Sequence, residues 1–416
     1  MRLTVAELFA GVGGFRVGLN HIQTIDEQGR AIENGPWEFV WANQFEPSTK
    51  EQHAFNCYVT RFGDKNHSNI DIHEVDKTTI PNHTLVVGGF PCQDYSVARS
   101  LSNEKGIEGK KGVLFWDIKD VLVAKKAPFV LLENVDRLLK SPASKRGRDF
   151  AIMLKTFDDL GYIVQWRALN AGEYGMPQKR RRVFIWAHKR ELVYSEQYLN
   201  KEVDLIEDNL FNQVFPVSNV EMEKPIDLNK YDSVLDVSNE YSDGKFFECG
   251  IMINGQVMHG KPIAVVEPVY PLAQIIKTAD TYNTDVSSYQ VATDKLDKWQ
   301  YLKGPKKIER TAANGHKYIY SEGGMAFPEK MDEPARTMLT SEGTLNRSSH
   351  IVYDEKLEAY RILTPVEAEL IQMFPPNWTN TMNNRKRYFM MGNALVTGII
   401  GRLEPVLRQI IESEPE

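Results

Sequence analysis

Along the first half of the chain, short continuous apolar runs alternate with stretches in which apolar residues recur every three or four positions. The runs at residues 3–9, 39–42, 85–87, 129–132, 163–169 and 183–186 have strand length and are too continuous for one-sided burial, which predicts strands covered on both faces. Helices are expected between them at 47–58, which opens on Pro-Ser, and at 114–124, where apolar residues fall at mixed three and four spacing. Strands separated by helices imply a parallel, doubly wound α/β sheet, and residues 1–190 read as one such domain. The period is then lost. Residues 197–270 hold scattered apolar clusters, and 270–355 mix Gly, Asn, Thr and Ser with Tyr and basic residues, which predicts the strands and loops of a second, smaller domain. Periodicity returns where Thr364 can cap, Pro365 suits a first helical position and Glu367 completes a capping box. The stretch MGNALVTGIIGRLEPVLRQII from Met391 reads as an apolar helix interrupted near Pro405 and docked on the first domain.

Composition narrows the class. A chain of 416 residues with 42% hydrophobic and 25% charged content is neither disordered nor collagenous. No apolar run reaches the roughly 18 residues of a membrane span, and the amino terminus lacks the cationic start and apolar core of a secretion signal, so a cytoplasmic location without membrane contact is expected. Cys57, Cys92 and Cys249 make neither a disulfide framework nor the paired spacing of a zinc site; a reducing compartment and no metal are expected. The net charge of −6 speaks against general attraction to nucleic acid, but its distribution changes that picture. Residues 197–270 carry 13 acidic against 5 basic side chains, so everything else sums to +2, with basic clusters at 137–148, 179–190, 303–317 and 385–387. The acidic stretch is expected on a face turned away from any polyanion.

Candidate chemistry gathers at strand ends, where ligands of open α/β sheets bind. Phe9-Ala-Gly11-Val-Gly13-Gly14-Phe15 follows the first strand; its glycines allow a tight turn and close backbone approach, and the spacing departs from the Gly-x-Gly-x-x-Gly of dinucleotide binders toward the turn that holds S-adenosylmethionine. Asn43-Gln44-Phe45-Glu46 ends the second strand, with side chains suited to a ribose and an aromatic suited to cover adenine, and Asp71-Ile72 offers a carboxylate to an adenine amine. Gly88-Gly-Phe-Pro-Cys92-Gln93-Asp-Tyr-Ser96 places a lone cysteine outside a strand end, open to the cleft, whereas Cys57 and Cys249 read as small core hydrophobes. Glu133 in Leu-Leu-Glu-Asn-Val follows apolar residues, so partial desolvation should raise its pKa and let it hold or deliver a proton beside Cys92. In Pro177-Gln-Lys-Arg-Arg-Arg182, strand alternation should send Arg180 and Arg182 to one side, where two guanidinium groups suit a phosphate or a carbonyl oxygen.

These motifs, in this order, resemble the DNA (cytosine-5) methyltransferase family of bacterial restriction-modification type. The resemblance covers residues 9–186 and 361–396 and is most specific at Pro-Cys92-Gln and Glu133-Asn-Val; Gly112-Val-Leu-Phe, Arg361-Ile-Leu-Thr-Pro-Val-Glu and Met391-Gly-Asn393-Ala are also family-like. It implies a Rossmann-like S-adenosylmethionine-dependent catalytic domain at 1–190 plus 377–416, and a target-recognition domain at 191–376 in which Pro334-Ala-Arg-Thr-Met-Leu-Thr340-Ser-Glu-Gly resembles the one recurrent segment. It further implies that Cys92 adds to carbon 6 of cytosine, Glu133 binds ring nitrogen 3 and the exocyclic amine, Arg182 meets the carbonyl oxygen, and Arg180 supports it and a nearby phosphate. Phe9 and Phe45 would bracket adenine above the Gly11, Gly13 and Gly14 turn, with Asp71 and Ile72 at its edge and Asn393 near the methionine part. Gln93, Ser96 and Thr340 would touch DNA, and residues 93–111 would form a loop closing over the flipped base. The family usually has an acidic residue where this chain has Gln44, with Glu46 two positions on, which leaves open which of them meets the ribose. The implied partner is double-stranded DNA, bound by a monomer, with a cognate restriction endonuclease acting separately.

Three other readings compete. A tRNA cytosine-5 methyltransferase shares such motifs but usually carries Cys-Phe-Thr, absent here, and lacks so long a variable region. A nucleotide-dependent oxidoreductase leaves Cys92 and Glu133 without a task. A catalytically dead relative is disfavoured because Cys92, Glu133 and both arginines are present.

Overall fold

The computed structural model describes residues 1–90, 114–283, 285–312 and 315–416. The described residues of the first half form seven strands: β1 (Thr4–Leu8), β2 (Glu38–Asn43), β3 (His67–Ser68), β4 (Leu85–Gly89), β5 (Phe129–Val135), β6 (Tyr162–Asn170) and β7 (Arg181–Lys189). Six of these are the apolar runs, which are continuous because both faces are covered: Val5, Val86 and Leu131 are completely inaccessible. Among the described residues, the helices between them are α1 (Gly14–Leu19), α2 (His53–Phe62), α3 (Phe115–Lys125) and α4 (Arg148–Asp159). Helix α2 starts later than its Pro-Ser signal suggests, because the Gln52 amide closes a loop on both the N–H and the C=O of Glu46.

Strand order is β3-β2-β1-β4-β5-β7-β6. Pairings from β3 through β5 are parallel, so the chain winds outward in both directions from β1 and β4 and leaves a crevice at their carboxyl ends. Strand β7 departs from the parallel expectation and runs against both β5 and β6. Its connection from β6 is a short turn with no helical crossover, and only an antiparallel partner can be reached that way.

The sheet does not stop at residue 190. Strands β8 (Val217–Met222), β9 (Ile226–Asp227), β10 (Cys249–Ile253) and β11 (Gln256–Ala264) continue it in the order β6-β10-β11-β8, with β9 paired to β11. The acidic stretch therefore lies at the sheet edge beyond β6, with Glu221, Asp227, Asp232 and Glu240 exposed. Two antiparallel hairpins stand outside this sheet: β12 (Lys306–Thr311) with β13 (Lys317–Glu322), and β14 (Ile351–Asp354) with β15 (Ala359–Ile362). Residues of 270–391 share a core with the amino-terminal helices, since Leu272, Ile275, Met338, Leu363, Trp378 and Met391 pack with Val12, Val17, Ala54 and Cys57. Val291, Trp299 and Ile351 form a small cluster of their own.

The capping box at Thr364 forms as the sequence implies: Thr364 N donates to Glu367 Oε2 at 2.8 Å and Glu367 N to Thr364 Oγ1 at 3.2 Å. The interruption placed near Pro405 falls earlier. One helix ends at Asn393, and the next, Thr397–Ser413, runs through Pro405. Thr397 turns the chain by bonding Gln372 O (3.1 Å) and Met373 O (2.6 Å). The buried residues Ile399, Ile400, Leu403, Leu407, Ile410 and Ile411 then carry the helix across the proline. At about 1.5–3 kcal/mol each, their burial exceeds the ~3 kcal/mol cost of an interior proline. No described helix is long and apolar enough to cross a membrane.

Candidate active site

The ends of β1, β2 and β3 are tied side by side. Ala10 N donates to Asn43 O (3.0 Å), Gln44 N to Ser68 O (3.1 Å) and Asn43 Nδ2 to Ile70 O (2.9 Å), which brings the glycine turn, Gln44-Phe45 and Asp71-Ile72 to one edge of the crevice. Phe9 has φ 54°, a left-handed conformation rare for an aromatic residue, and Gly11 follows at φ 55°. Among the described residues, a methyl group placed on Gly11 meets nothing within 4 Å, so the turn is an open cradle there. Gly13, at φ 89°, caps α1. Gln44 and Glu46 part company here. Gln44 Oε1 accepts the Gly11 N–H at 2.8 Å, inside the turn, whereas Glu46 Oε2 accepts from Ala54 N at 3.0 Å and serves the first turn of α2. Asp71 also accepts from His73 N as a local cap, and Ile72 is buried.

Beneath the turn lies a group that sequence reading passed over. Glu7 is fully buried and takes a 3.0 Å hydrogen bond from the Tyr58 hydroxyl, while its Oε1 has no hydrogen-bond partner among the described residues. Burial pushes its carboxyl up to about 7 despite the opposing pull of Tyr58 and Arg16.

The second edge of the crevice comes from β4, β5 and β7. Gly89 pairs with Glu133 in register, and Val135 with Arg182. The reversed direction of β7 explains why the arginines stand at a strand start and the glutamate at a strand end: antiparallel pairing puts both at the same edge. Glu133 Oε1 lies 3.1 Å from Arg182 Nε, with both side chains largely covered. Burial raises the Glu133 carboxyl above its ordinary value, as its apolar setting implies, while Arg182 and Arg180 pull it down. Alternation holds as well: Arg181 points the other way, to Glu248 (3.1 Å) and Asp136 (3.4 Å). Asn134 donates to Phe90 O at 3.0 Å and fixes the chain just before Pro91-Cys92. Cys92, Gln93, Ser96 and the segment 93–111 lie outside the described residues. Cys57 and Cys249 are buried, as expected of core cysteines.

Arg180 differs from its expected place at a phosphate. It is buried, and its two Nη groups donate to Met338 O and Gly392 O, each at 2.9 Å, so it braces the wall of the crevice. Burial, then the like charge of Arg182, pushes its guanidinium down to about 9, which still leaves it charged at neutral pH. The segment 334–343 is laid along the arginine motif: Ala335 N donates to Pro177 O (2.8 Å), Lys179 N to Ala335 O (2.7 Å) and Met338 N to Gln178 Oε1 (3.0 Å). Thr340 follows, its carbonyl accepting from Arg385 Nη1 at 2.9 Å. Asn393 is exposed directly after Gly392, and two residues on Leu395 packs on Gly14, so Asn393 stands between the glycine turn and Arg180. Gln178 and Asn134 were present in quoted motifs without a role; each is an amide beside a charged motif residue, which is the signal that could have marked them.

A crevice with a glycine cradle at the ends of β1–β3 and a glutamate–arginine pair at the ends of β5 and β7 defines a Rossmann-like methyltransferase. The chain belongs to the C-5 cytosine-specific DNA methylase family, whose model matches residues 3–409. It is 46% identical to the type II methyltransferase M.Sau3AI of Staphylococcus aureus over 98% of this chain and 96% of that protein. Against the type II methyltransferase M.HhaI of Haemophilus parahaemolyticus it is 32% identical, over 46% of this chain and 50% of that protein. Among solved structures, the Dnmt2 methyltransferase of S. pombe shares the fold at a TM-score of 0.58 and 16% identity, covering 99% of both chains.

Proposed function

We propose that this enzyme transfers a methyl group from S-adenosylmethionine to carbon 5 of a cytosine flipped out of a specific duplex DNA sequence, as the modification half of a restriction-modification system. The observation that carries the reading is the Glu133–Arg182 pair, 3.1 Å apart beside the strand end that leads to Pro91-Cys92. A monomer suffices for this chemistry, and a cognate endonuclease would act as a separate protein on the same sequence.

The residues present fit the cofactor. The open cradle at Gly11 admits a ligand against the backbone, Gln44 reaches into it, and Phe9, Phe45, Asp71 and Ile72 are suited to the adenosine half, with Asn393 and Gly14 toward the methionine half. When bound there, the cofactor supplies an electrophilic methyl group. Cytosine carbon 5 is a poor nucleophile; the Cys92 thiolate, adding at carbon 6, makes it enamine-like. Glu133, whose carboxyl burial raises above its ordinary value, is suited to hydrogen-bond ring nitrogen 3 and the amine, and Arg182 to the carbonyl oxygen, so charge developing on the ring is met by groups already in place. Carbon 5 takes the methyl group as the demethylated cofactor leaves; the carbon 5 proton then passes to water, its electron pair re-forms the 5,6 double bond, and the carbon 6–sulfur bond breaks to release Cys92 as thiolate. Because the ring face on which the thiolate must add is covered in a stacked duplex, the base must leave the helix, and Gln93, Ser96 and Thr340 are assigned to the DNA around it. Catalysis is assigned to 1–190 plus 377–416 and target recognition to 191–376. Within the latter, residues 217–264 complete the catalytic sheet, so recognition is assigned to the part beyond them.

The test is transfer of labelled methyl from the cofactor to duplex DNA, with bisulfite sequencing to locate the product. Cys92→Ser should abolish transfer while cofactor binding stays measurable. Label appearing on tRNA and on no DNA would sink the reading.

A further inference from the structure

We propose that the hairpin β12–β13 is the element this enzyme lays in the major groove, reading base edges with the face that carries Lys307, Thr311, Lys317, Ile319 and Ser321. The inference rests on duplex DNA being the substrate.

The hairpin projects from the body. Among its strand residues only Lys306, Tyr320 and Glu322 are not exposed, and an isolated two-stranded ribbon is marginal in water. Register divides its side chains between two faces with different tasks. One face is a ladder that holds the ribbon in shape. Lys306 pairs with Glu322 at 3.2 Å, Arg347 pairs with Glu322 at 2.6 Å, and the Tyr320 hydroxyl bonds the same carboxylate. The Arg310 guanidinium stacks 3.8 Å over the Tyr320 ring. The other face carries Lys307, Glu309, Thr311, Lys317, Ile319 and Ser321, and every one of them is exposed. Ile319 is 70% exposed, and the ion pair on this face, Lys317 to Glu309 at 2.9 Å, is itself solvent-facing.

Chemistry and size favour DNA as the occupant. The two strands hold four cations and two acids in a chain of net charge −6, and Glu322 is already committed to Lys306 and Arg347. Lysine with Ser, Thr, Glu309 and one aliphatic side chain is a base-reading mixture: donors for guanine acceptors, hydroxyls for either edge, a carboxylate for the cytosine amine, and a methyl contact for thymine. Lysine is depleted from protein–protein contacts, which argues against a second copy or another protein on this face. Two strands about 4.8 Å apart fit a groove about 12 Å wide.

Position favours it too. At the hairpin base, Lys303 is buried and donates to Glu329 (3.2 Å) and Ser349 O (2.6 Å). Glu329 is clasped by Arg336 at 2.9 and 2.7 Å. Arg336 belongs to the segment whose Met338 carbonyl holds Arg180, so the ribbon is indexed rigidly to the pocket in which the target base reacts.

Two variants of the full-length enzyme test this: Ile319→Ser, and Lys307→Ala with Lys317→Ala. Each is assayed on the unmethylated duplex that the wild type modifies and on a panel in which one base pair of the target sequence at a time is replaced. Discrimination at one or two positions should fall roughly ten- to hundredfold, with cofactor binding by calorimetry unchanged. Wild-type discrimination in both variants overturns the proposal, as does a changed oligomeric state in sedimentation with discrimination intact. A wild-type enzyme that methylates no duplex refutes the DNA substrate itself, and the inference falls with it. A wild-type enzyme that methylates while both variants read every position normally refutes the hairpin alone.

Discussion

Glu7→Gln should flatten the pH dependence of stability. The Glu7 carboxyl is fully buried, and burial raises it from an unfolded value near 4.5 to about 7. An acid whose folded pKa is raised binds its proton more tightly in the native state. Its contribution is therefore fully present below pH 4.5 and is lost as the pH climbs through 7. A shift of about 2.5 units corresponds to roughly 3 kcal/mol at 1.36 kcal/mol per unit, most of it given up between pH 5 and pH 8. Glutamine keeps the shape and can still accept from the Tyr58 hydroxyl, but it does not titrate. Urea denaturation of both proteins at intervals from pH 5 to pH 9 gives the difference directly: the free energy of the variant relative to wild type should climb by about 2–3 kcal/mol across that range, the rest having been given up below pH 5. The difference is the informative quantity, because Asp117 and Asp149, also raised by burial, titrate in both proteins alike. Parallel curves would show that Glu7 is ionised in the fold, and that Arg16 and Tyr58 offset its burial completely.

Three further outcomes follow from the site and its supports. Gln44→Ala removes the acceptor of the Gly11 N–H and should weaken cofactor binding about fivefold, whereas Glu46→Ala should cost about 1 kcal/mol of stability through α2 and leave binding nearly intact; the reverse pattern in calorimetry would put the ribose on Glu46. Glu133→Gln should lower turnover by a hundredfold or more with little change in the urea midpoint, because burial outweighs the attraction of Arg182 and Arg180 for the ionised form; a large stability loss would mean the arginines dominate. Gly18→Ala puts a methyl carbon 2.5 Å from Ile400 Cβ and 2.8 Å from Thr397 O, and should cost roughly 2–3 kcal/mol by prying α1 from the carboxyl-terminal helix; a cost under about 0.5 kcal/mol would show that the two helices separate freely.

What could be read in advance followed from burial and locality. Six strands announce themselves because a strand covered on both faces is apolar at every position, and the strand-end motifs sit within a few residues of that signal. The direction of β7 is set by the length of its connection, which carries no residue pattern. Strands β8, β10 and β11 are hidden for a different reason: β8 is an edge with most side chains in water, and β10 needs Gly250, where a side chain would meet the Trp166 ring at 2.3 Å. In the site, Glu133 and the side shared by Arg180 and Arg182 are legible from strand alternation. The partners of Arg180 are not, because they are the carbonyls of Met338 and Gly392, and a backbone acceptor leaves no trace in residue type. The same holds for Gln44 and Glu46, two polar positions either side of Phe45 whose tasks separate only when α2 is in place.

Those two carbonyls lie 158 and 212 residues downstream of the arginine they hold. A chain leaving the ribosome has its glycine turn, Cys92 and Glu133 long before it can seat Arg180, and the segment that seats it is tied through Arg336 and Glu329 to the base of the hairpin β12–β13. A catalytic half released early, by truncation or proteolysis, should therefore be inert, where a self-sufficient one would methylate cytosines indiscriminately. Two fragments divided between residues 270 and 330 should regain activity only on being mixed.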